Sequence, residues 1–234
     1  MNKSKALVLF DIDGTLLRNA GGHHRQALID GIRQVTGVET HLDGVPTSGM
    51  LDRDLIRHML SAAGHARRRT QAVLRDIVSA CQTAYVANCA PDLTHAVCPG
   101  ARELLDKLRQ RGAVSGLVTG NLSVIGWKKM ELAGLREYFS VAAFAEDGTT
   151  RTRLARVAWQ RAVKQGLIER DARVSVVGDH MNDVAAAKAN GFTAIAVASG
   201  LTSAEALAEA RPDILLHSLA ELGGRLDLSV LGIT

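Results

Sequence analysis

Apolar runs that end abruptly in polar residues recur along this chain, and they limit the possible fold more than any other feature. The first run, Ala6-Leu7-Val8-Leu9-Phe10, ends at Asp11. The other runs lie at 116–118 before Thr119, at 174–177 before Gly178-Asp179, at 193–197, and in shorter form at 213–216. Such continuous runs are typical of strands that are buried on both faces.

Stretches with helical periodicity separate these runs. We predict helices at Gly100 to Arg111, Val124 to Ala133, Thr152 to Gln165, Asn182 to Asn190, and Ser203 to Glu209. This alternation predicts an α/β fold with a Rossmann-like parallel sheet covered on both sides. Open sheets of this kind bind ligands at the carboxyl ends of their strands. We therefore expect Asp11, Thr119 and Asp179 to meet in space.

Residues 18–90 interrupt the alternation. Three helical stretches fall there, His24 to Val35, Asp52 to Ala63, and Thr70 to Asn88, and no buried strand is evident among them. We therefore predict a catalytic core made of residues 1–17 and 91–234, with an inserted helical cap domain at residues 18–90.

Composition excludes several classes of protein. The 234 residues are 47% apolar and 22% charged, with a net charge of +4, which suits a globular protein that attracts a small anion. The densest basic run, 65–69, lacks the interleaved aromatic residues of a nucleic-acid platform, so we expect a solvated surface there. No apolar stretch is long enough to cross a membrane or to act as a secretion signal, which predicts a cytoplasmic protein. Three cysteines without a Cys-x-x-Cys pair predict buried thiols in a reducing compartment, with neither zinc nor disulfides.

Two acids follow the first strand directly, in the segment Asp11-Ile12-Asp13-Gly14-Thr15. In an extended turn, residues two apart project to the same side, so these carboxylates can share a hard cation. A carboxylate can also attack phosphorus covalently. An Asp-rich turn without chemistry is the alternative.

Polar residues also end two later strands. Asp179 ends the strand at 174–177, and Asp183 stands four residues on, where a helix is predicted to begin. Thr119-Gly120-Asn121 ends another strand and offers a hydroxyl and backbone N–H groups to an anion. For Asp183 and for Thr119, a helix-capping role remains the alternative.

Together these segments resemble the motif set of the haloacid dehalogenase-like hydrolase superfamily. Asp-x-Asp-Gly-Thr at 11–15, a strand ending at Thr119, and Gly-Asp at 178–179 followed by Asp183 match its first, second and fourth motifs. The order of the motifs and the insertion after the first one resemble the phosphoglycolate phosphatase-like branch in particular. The resemblance implies a phosphatase that acts on a small phosphorylated substrate.

The resemblance also implies roles for the residues. Asp11 would be the nucleophile and Asp13 the general acid and base, while Mg²⁺ would be held by Asp11, Asp13, Asp179 and Asp183. Thr119, Gly120 and Asn121 would bind the phosphoryl oxygens. Haloacid dehalogenases lack the second acid of the first motif, so Asp13 favours phosphoryl transfer.

One motif departs from the pattern, because the lysine of the third motif is missing. The first lysine in that part of the chain, Lys164, comes late in a predicted helix. We expect Arg151 to replace it, with Arg153 as the second choice, and Lys128 and Lys129 could also reach inward.

Other polar residues have alternative readings. Asp52 and Arg53 resemble a cap loop that faces the substrate, although Asp52 could instead be the N-cap of a helix. His180 is a candidate for lining the pocket. For His23 and His24 we expect an exposed helix start rather than a metal site, because adjacent histidines point apart on a helix.

The function predicted from these residues is Mg²⁺-dependent hydrolysis of a small phosphate monoester through an aspartyl-phosphate. A sugar phosphomutase uses the same intermediate and remains an alternative, as does a non-catalytic binding protein whose site has lost the third-motif lysine. A nicotinamide dehydrogenase is disfavoured, since no Gly-x-Gly-x-x-Gly follows a strand.

Overall fold

The computed structural model describes residues 3–45 and 47–222. Six strands form one parallel sheet in the order β3-β2-β1-β4-β5-β6. The strands are β1 (Ser4–Phe10), β2 (Val114–Val118), β3 (Phe139–Ala143), β4 (Ile168–Gly178), β5 (Thr193–Val197) and β6 (Ile214–Leu216). The predicted α/β fold with a Rossmann-like parallel sheet is therefore confirmed.

Eight α-helices accompany the sheet. They are α1 (Gly22–Thr36), α2 (Asp52–Ala62), α3 (Arg67–Asn88), α4 (Ala101–Gln110), α5 (Ser123–Leu132), α6 (Arg151–Lys164), α7 (Met181–Ala189) and α8 (Ala204–Glu209). The first three lie in residues 18–90, here called the helical insertion, and none of the six strands falls there. In the described part of the chain, no helix is long and apolar enough to span a membrane.

The apolar run of β1 supplies both faces of the sheet, as continuous runs in parallel sheets do. Leu7 and Leu9 join a buried cluster with α6, α7 and α8, and this cluster continues into the helical insertion. Val8 and Phe10 join a second cluster, in which α4 contributes most of the helical side chains. The sheet is thus buried on both sides, and β1 lies in the middle of it.

The register of the sheet brings the polar strand ends together. Phe10 lies opposite Leu117 of β2 and opposite Val177 of β4. The residues that follow these strands therefore lie together at the carboxyl end of the sheet, where the sequence predicted the site. They are Asp11, Thr119 and Asp179.

The sequence did not predict strand β3. Phe139–Ala143 reads Phe-Ser-Val-Ala-Ala, and β3 pairs only with β2 at the edge of the sheet. Alanine has little preference for strands, so pairing with β2 determines this element rather than its own sequence.

The helical insertion sits directly on the turn that follows β2. The Asp52 N–H donates to the Gly120 carbonyl oxygen over 2.8 Å. A Cβ atom at Gly120 would lie 2.3 Å from the Met50 carbonyl oxygen, so this approach requires glycine.

Candidate active site

Asp11 is buried and held by Arg151 at the start of α6. Arg151 Nη1 donates to Asp11 Oδ1 over 2.9 Å and to the Val118 carbonyl oxygen over 3.0 Å. Arg151 Nε also lies 3.2 Å from Asp183 Oδ1. Burial alone would lower the pKa of Arg151, but Asp11 and Asp183 outweigh it and raise the pKa, so the guanidinium stays charged. Arg151 thus places one fixed cation against two carboxylates.

Asp11, Asp179 and Asp183 form a buried carboxylate cluster. One oxygen from each lies within 4.8 Å of the others. Burial, and then the negative charge of Asp11, raise the pKa of Asp179 to about 7. Burial also raises the pKa of Asp183, to about 8, with further contributions from Asp11 and Asp179. Three carboxylates facing one guanidinium leave an excess of negative charge at this point.

A divalent cation fits this cluster. Within the described residues, the buried Asp183 Oδ1 makes no hydrogen bond of acceptable geometry, although Arg151 lies near it. A Cβ atom at Gly14 or at Gly200 would lie 2.2 Å or less from Asp179 Oδ2, so both glycines leave room for that carboxylate. Closely spaced carboxylate oxygens are ligands for hard cations such as Mg²⁺ and Ca²⁺. The cation would offset the negative charge that, together with burial, raises the two pKa values.

Asp13 faces the cavity with 37% of its side chain exposed, and its carboxylate is held from behind. Lys129 Nζ donates to Asp13 Oδ1 over 2.8 Å and to Oδ2 over 2.6 Å. Asn121 Nδ2 donates to the same Oδ2 over 2.8 Å. Burial alone would raise the pKa of Asp13, but Lys129, His24 and Asn121 outweigh it and lower the pKa.

The residues after β2 form the third part of the site. Asn121 Nδ2 also donates to Thr119 Oγ1 over 3.0 Å, and the Asn121 backbone N–H donates to it over 3.3 Å. Both side chains are buried. Hydrogen bonds therefore hold Thr119 in the loop between β2 and α5, at the carboxyl end of the sheet.

A cavity of about 560 Å³ joins these groups. The helical insertion forms one side of it, and the carboxyl edge of the sheet forms the other. Asp11, Asp13, Thr119 and Asp179 line it together, as do Gly120, Asn121, Arg151 and His180. Asp183, the third member of the carboxylate cluster, does not line the cavity.

His24 contradicts the sequence prediction of an exposed helix start. It is buried, whereas its neighbour His23 is exposed. His24 Nε2 lies 2.8 Å from Asp52 Oδ2, and His24 Nδ1 lies 3.1 Å from Lys129 Nζ. The two histidines do point apart, as helical geometry requires, but one of them points into the site.

Asp52 lines the cavity, as expected of a loop that faces the substrate, whereas Arg53 does not. Leu51, rather than Asp52, is the N-cap of α2. Asp52 is buried and its Oδ2 accepts the Leu122 backbone N–H over 2.7 Å, besides its contact with His24. Arg53 lies outside the cavity lining, and among the described residues it makes a single long contact, 3.5 Å to the Glu146 carbonyl oxygen.

The other candidate cations differ clearly in how buried they are. Arg153 and Lys164 are exposed, and Lys128 pairs with Glu131 at the surface. Lys129 is completely buried. The sequence named Lys129 as able to reach inward, but it carried no signal that distinguished it from Lys128.

Asp183 caps helix α7, as one of its two predicted roles requires, and it also belongs to the carboxylate cluster. Its Oδ2 accepts the His180 backbone N–H over 3.3 Å in a reciprocal cap of α7, while its Oδ1 faces Arg151. Among the cysteines, Cys81 and Cys98 are buried thiols as predicted, and Cys89 is half-buried.

A Rossmann-like sheet with an acidic cluster at the carboxyl ends of its central strands, beneath a helical insertion, is typical of α/β enzymes that bind their ligands at those strand ends. The profile of the haloacid dehalogenase-like hydrolase family matches residues 5–191, and this chain belongs to that family.

Individual relatives agree with this assignment. A phosphoglycolate phosphatase of Synechococcus elongatus is 28% identical over 222 residues, which cover 92% of this chain and 94% of the relative. A phosphoserine phosphatase of Methanocaldococcus jannaschii is 24% identical over 200 residues, covering 82% and 85%. The crystal structure of β-phosphoglucomutase from Clostridium difficile matches with a TM-score of 0.69 at 15% identity, covering 94% of each chain, and shares the fold.

Proposed function

We propose that this protein is a Mg²⁺-dependent phosphatase that hydrolyses a small phosphate monoester through an aspartyl-phosphate on Asp11. The observation that carries the proposal is the position of Asp11. It belongs to the carboxylate cluster, is held by Arg151 and opens into the same cavity as Asp13. The phosphatases among its relatives support this class of substrate.

In the first step, a carboxylate oxygen of Asp11 attacks the phosphorus of the substrate. The bond between phosphorus and the leaving oxygen breaks, and Asp13, which must carry a proton at this step although its pKa is lowered, supplies the proton that this oxygen needs. Arg151 holds Asp11 Oδ1, which leaves the other oxygen for the attack. The Thr119 hydroxyl and the backbone N–H of Gly120 bind phosphoryl oxygens and offset their charge. Asn121 would join them only by giving up a hydrogen bond to Asp13 or Thr119, and otherwise it holds Thr119 in place.

In the second step, Asp13 accepts a proton from water while that water attacks the phosphorus. The bond between phosphorus and Asp11 breaks, so phosphate leaves and the Asp11 carboxylate is restored. The same residue therefore acts as a general acid in the first step and as a general base in the second.

Asp11, Asp179, Asp183 and the backbone of Asp13 would hold Mg²⁺. When bound, the cation neutralises charge on the transferring phosphoryl group. Asp183 would support the site from behind, since it does not line the cavity.

The residues of the helical insertion would close the cavity around the leaving group and exclude water from it. We propose that residues 18–90 act as the cap and that residues 1–17 and 91–234 act as the core. Arg151 fills the place of the missing third-motif lysine, which favours an active site over a damaged one.

A panel of phosphorylated metabolites tests the proposal. We expect release of inorganic phosphate from at least one small monoester with Mg²⁺, no release in excess EDTA, and recovery when Mg²⁺ is added back. Turnover that is undiminished in EDTA would refute the metal requirement. A strict requirement for a bisphosphate activator, with isomerisation instead of phosphate release, would indicate a mutase.

A further inference from the structure

Lys129 is a completely buried lysine, and its ammonium group contacts residues of the site. Its side chain on α5 is 0% exposed. A buried ammonium group is costly unless charged or polar partners surround it. Its partners are Asp13, Asn121 Oδ1 at 2.8 Å and His24 Nδ1 at 3.1 Å. The packing of α5 alone does not call for a charge at this position, since an apolar residue would avoid that cost.

The ammonium group grips Asp13 through both carboxylate oxygens. Together with the hydrogen bond from Asn121 to Oδ2, three donor contacts fix the rotation of this carboxylate. The exposed part of Asp13 still opens into the cavity. Lys129 therefore fixes the direction in which Asp13 meets a substrate or a water molecule.

The helical insertion supplies the third partner of Lys129. An ammonium group has only donors, so His24 Nδ1 accepts from it and the ring hydrogen sits on Nε2. That hydrogen is donated to Asp52, whose Oδ2 also accepts the Leu122 backbone N–H. His24 and Asp52 belong to α1 and α2, whereas Lys129 and Leu122 belong to the core. Through these contacts, the orientation of Asp13 depends on the position of the helical insertion.

We propose that Lys129, supported by His24 and Asp52, is a positioning residue that aims Asp13 at the hydrolytic water in the second step. This inference rests on the proposed function. A carboxylate that accepts hydrogen bonds from an ammonium group is oriented as a proton acceptor, which is the task of Asp13 when the aspartyl-phosphate is hydrolysed. With p-nitrophenyl phosphate, whose weakly basic leaving oxygen departs without a proton, formation of the aspartyl-phosphate does not depend on this orientation.

The test is Lys129→Met, with p-nitrophenyl phosphate as the probe and Mg²⁺ present. We expect kcat to fall about 10²-fold, at the lower end of what one acid–base group contributes. We expect KM to fall with it, so that kcat/KM changes little, because kcat/KM reports only the steps up to phosphorylation. The variant should show a burst of p-nitrophenolate and accumulate phosphoenzyme during turnover. Lys129→Arg should recover part of kcat.

Lys128→Met is the matched control, since Lys128 precedes Lys129 on α5 and pairs with Glu131 at the surface. It should behave like the wild type. Circular dichroism establishes whether each variant folds. If Lys129→Met does not fold, His24→Leu carries the test. Leucine removes the acceptor for Lys129 together with the donor to Asp52, so a smaller fall in kcat with the same burst is expected.

Two results would overturn the inference in distinguishable ways. If the wild type forms phosphoenzyme but folded Lys129→Met loses kcat and kcat/KM equally, without a burst, Lys129 does not act on the second step. If the wild type forms no phosphoenzyme at all, the proposed function fails, and the inference fails with it.

Discussion

At the scale of the residue, Arg151 is the cation that we propose in place of the missing third-motif lysine. Arginine presents several donors in a fixed plane, whereas lysine presents one compact charge. Here one guanidinium contacts the proposed nucleophile, the end of β2 and the vicinity of Asp183 at once. The position at the start of α6 is the one that the sequence pattern suggested, although the residue type differs.

The role of Arg151 predicts a large loss when it is removed. Arg151→Ala should lower kcat by about 10²–10³-fold, as loss of one preorganised charge-stabilising donor does. Arg151→Lys should recover only part of this, because it cannot keep all three contacts. Arg153→Ala, an exposed neighbour, is the control and should remain near the wild-type rate. Steady-state kinetics of the three variants decide the matter, and an unchanged kcat for Arg151→Ala would contradict this role.

Sequence alone predicted the residues that follow the strands, because each of them terminates an apolar run. Asp11, Thr119 and Asp179 have this signal. The contact between His24, Asp52 and Lys129 had no such signal, because these positions lie on three separate helices that tertiary packing brings together. Nothing in the local pattern separates buried Lys129 from surface Lys128.

At the scale of the element, strand register and one loop determine the positions of the proposed catalytic residues. The register of β1 with β2 and β4 brings the strand ends together, and the apolar runs made this predictable. The loop from β3 to α6 was less predictable, because its shape depends on side-chain contacts. There, Asp147 accepts hydrogen bonds from Arg161 and from the Phe144 N–H, which fixes the approach to Arg151.

This loop predicts a pH-dependent contribution to stability. Partial burial alone would raise the pKa of Asp147, but hydrogen bonds from Arg161 and Phe144 outweigh it and lower the pKa. The folded protein therefore keeps the Asp147 carboxylate ionised to lower pH than the unfolded chain does. Its stabilising effect is present above the unfolded pKa of about 4 and is lost as pH falls through the folded pKa.

Asp147→Asn should lower the free energy of unfolding at pH 7 by about 1 kcal/mol, a modest value because Arg161 is partly exposed. The difference from the wild type should shrink below about pH 4. Urea unfolding at both pH values measures it, with the exposed Asp76→Asn as the control. A difference that grows as pH falls would contradict this reading.

At the scale of the whole molecule, the core and the helical insertion share one apolar cluster. Leu7 and Leu9 of β1 belong to the same cluster as Leu28 and Ile32 of α1. The cavity lies between these two parts, so substrate contacts come from both. The sequence predicted the insertion and its three helices, but the cavity depends on their packing and could not be derived from local patterns.

The carboxylate cluster predicts that a bound cation stabilises the whole fold. A ligand that binds only the folded state raises its stability according to its concentration and affinity. In millimolar Mg²⁺, the melting temperature of the wild type should therefore be higher than in chelator. Asp183→Asn should lose most of this rise, and Asp171→Asn, at an exposed position, should keep it. An equal rise in all three proteins would place the cation elsewhere.

The central claim, that Asp11 carries the phosphoryl group, can be tested by trapping. Enzyme quenched during turnover and reduced with borohydride should contain homoserine in place of Asp11, located by mass spectrometry of its peptides. Asp11→Asn should show no homoserine and no turnover while remaining folded. Homoserine at another aspartate, or full turnover by Asp11→Asn, would contradict the account.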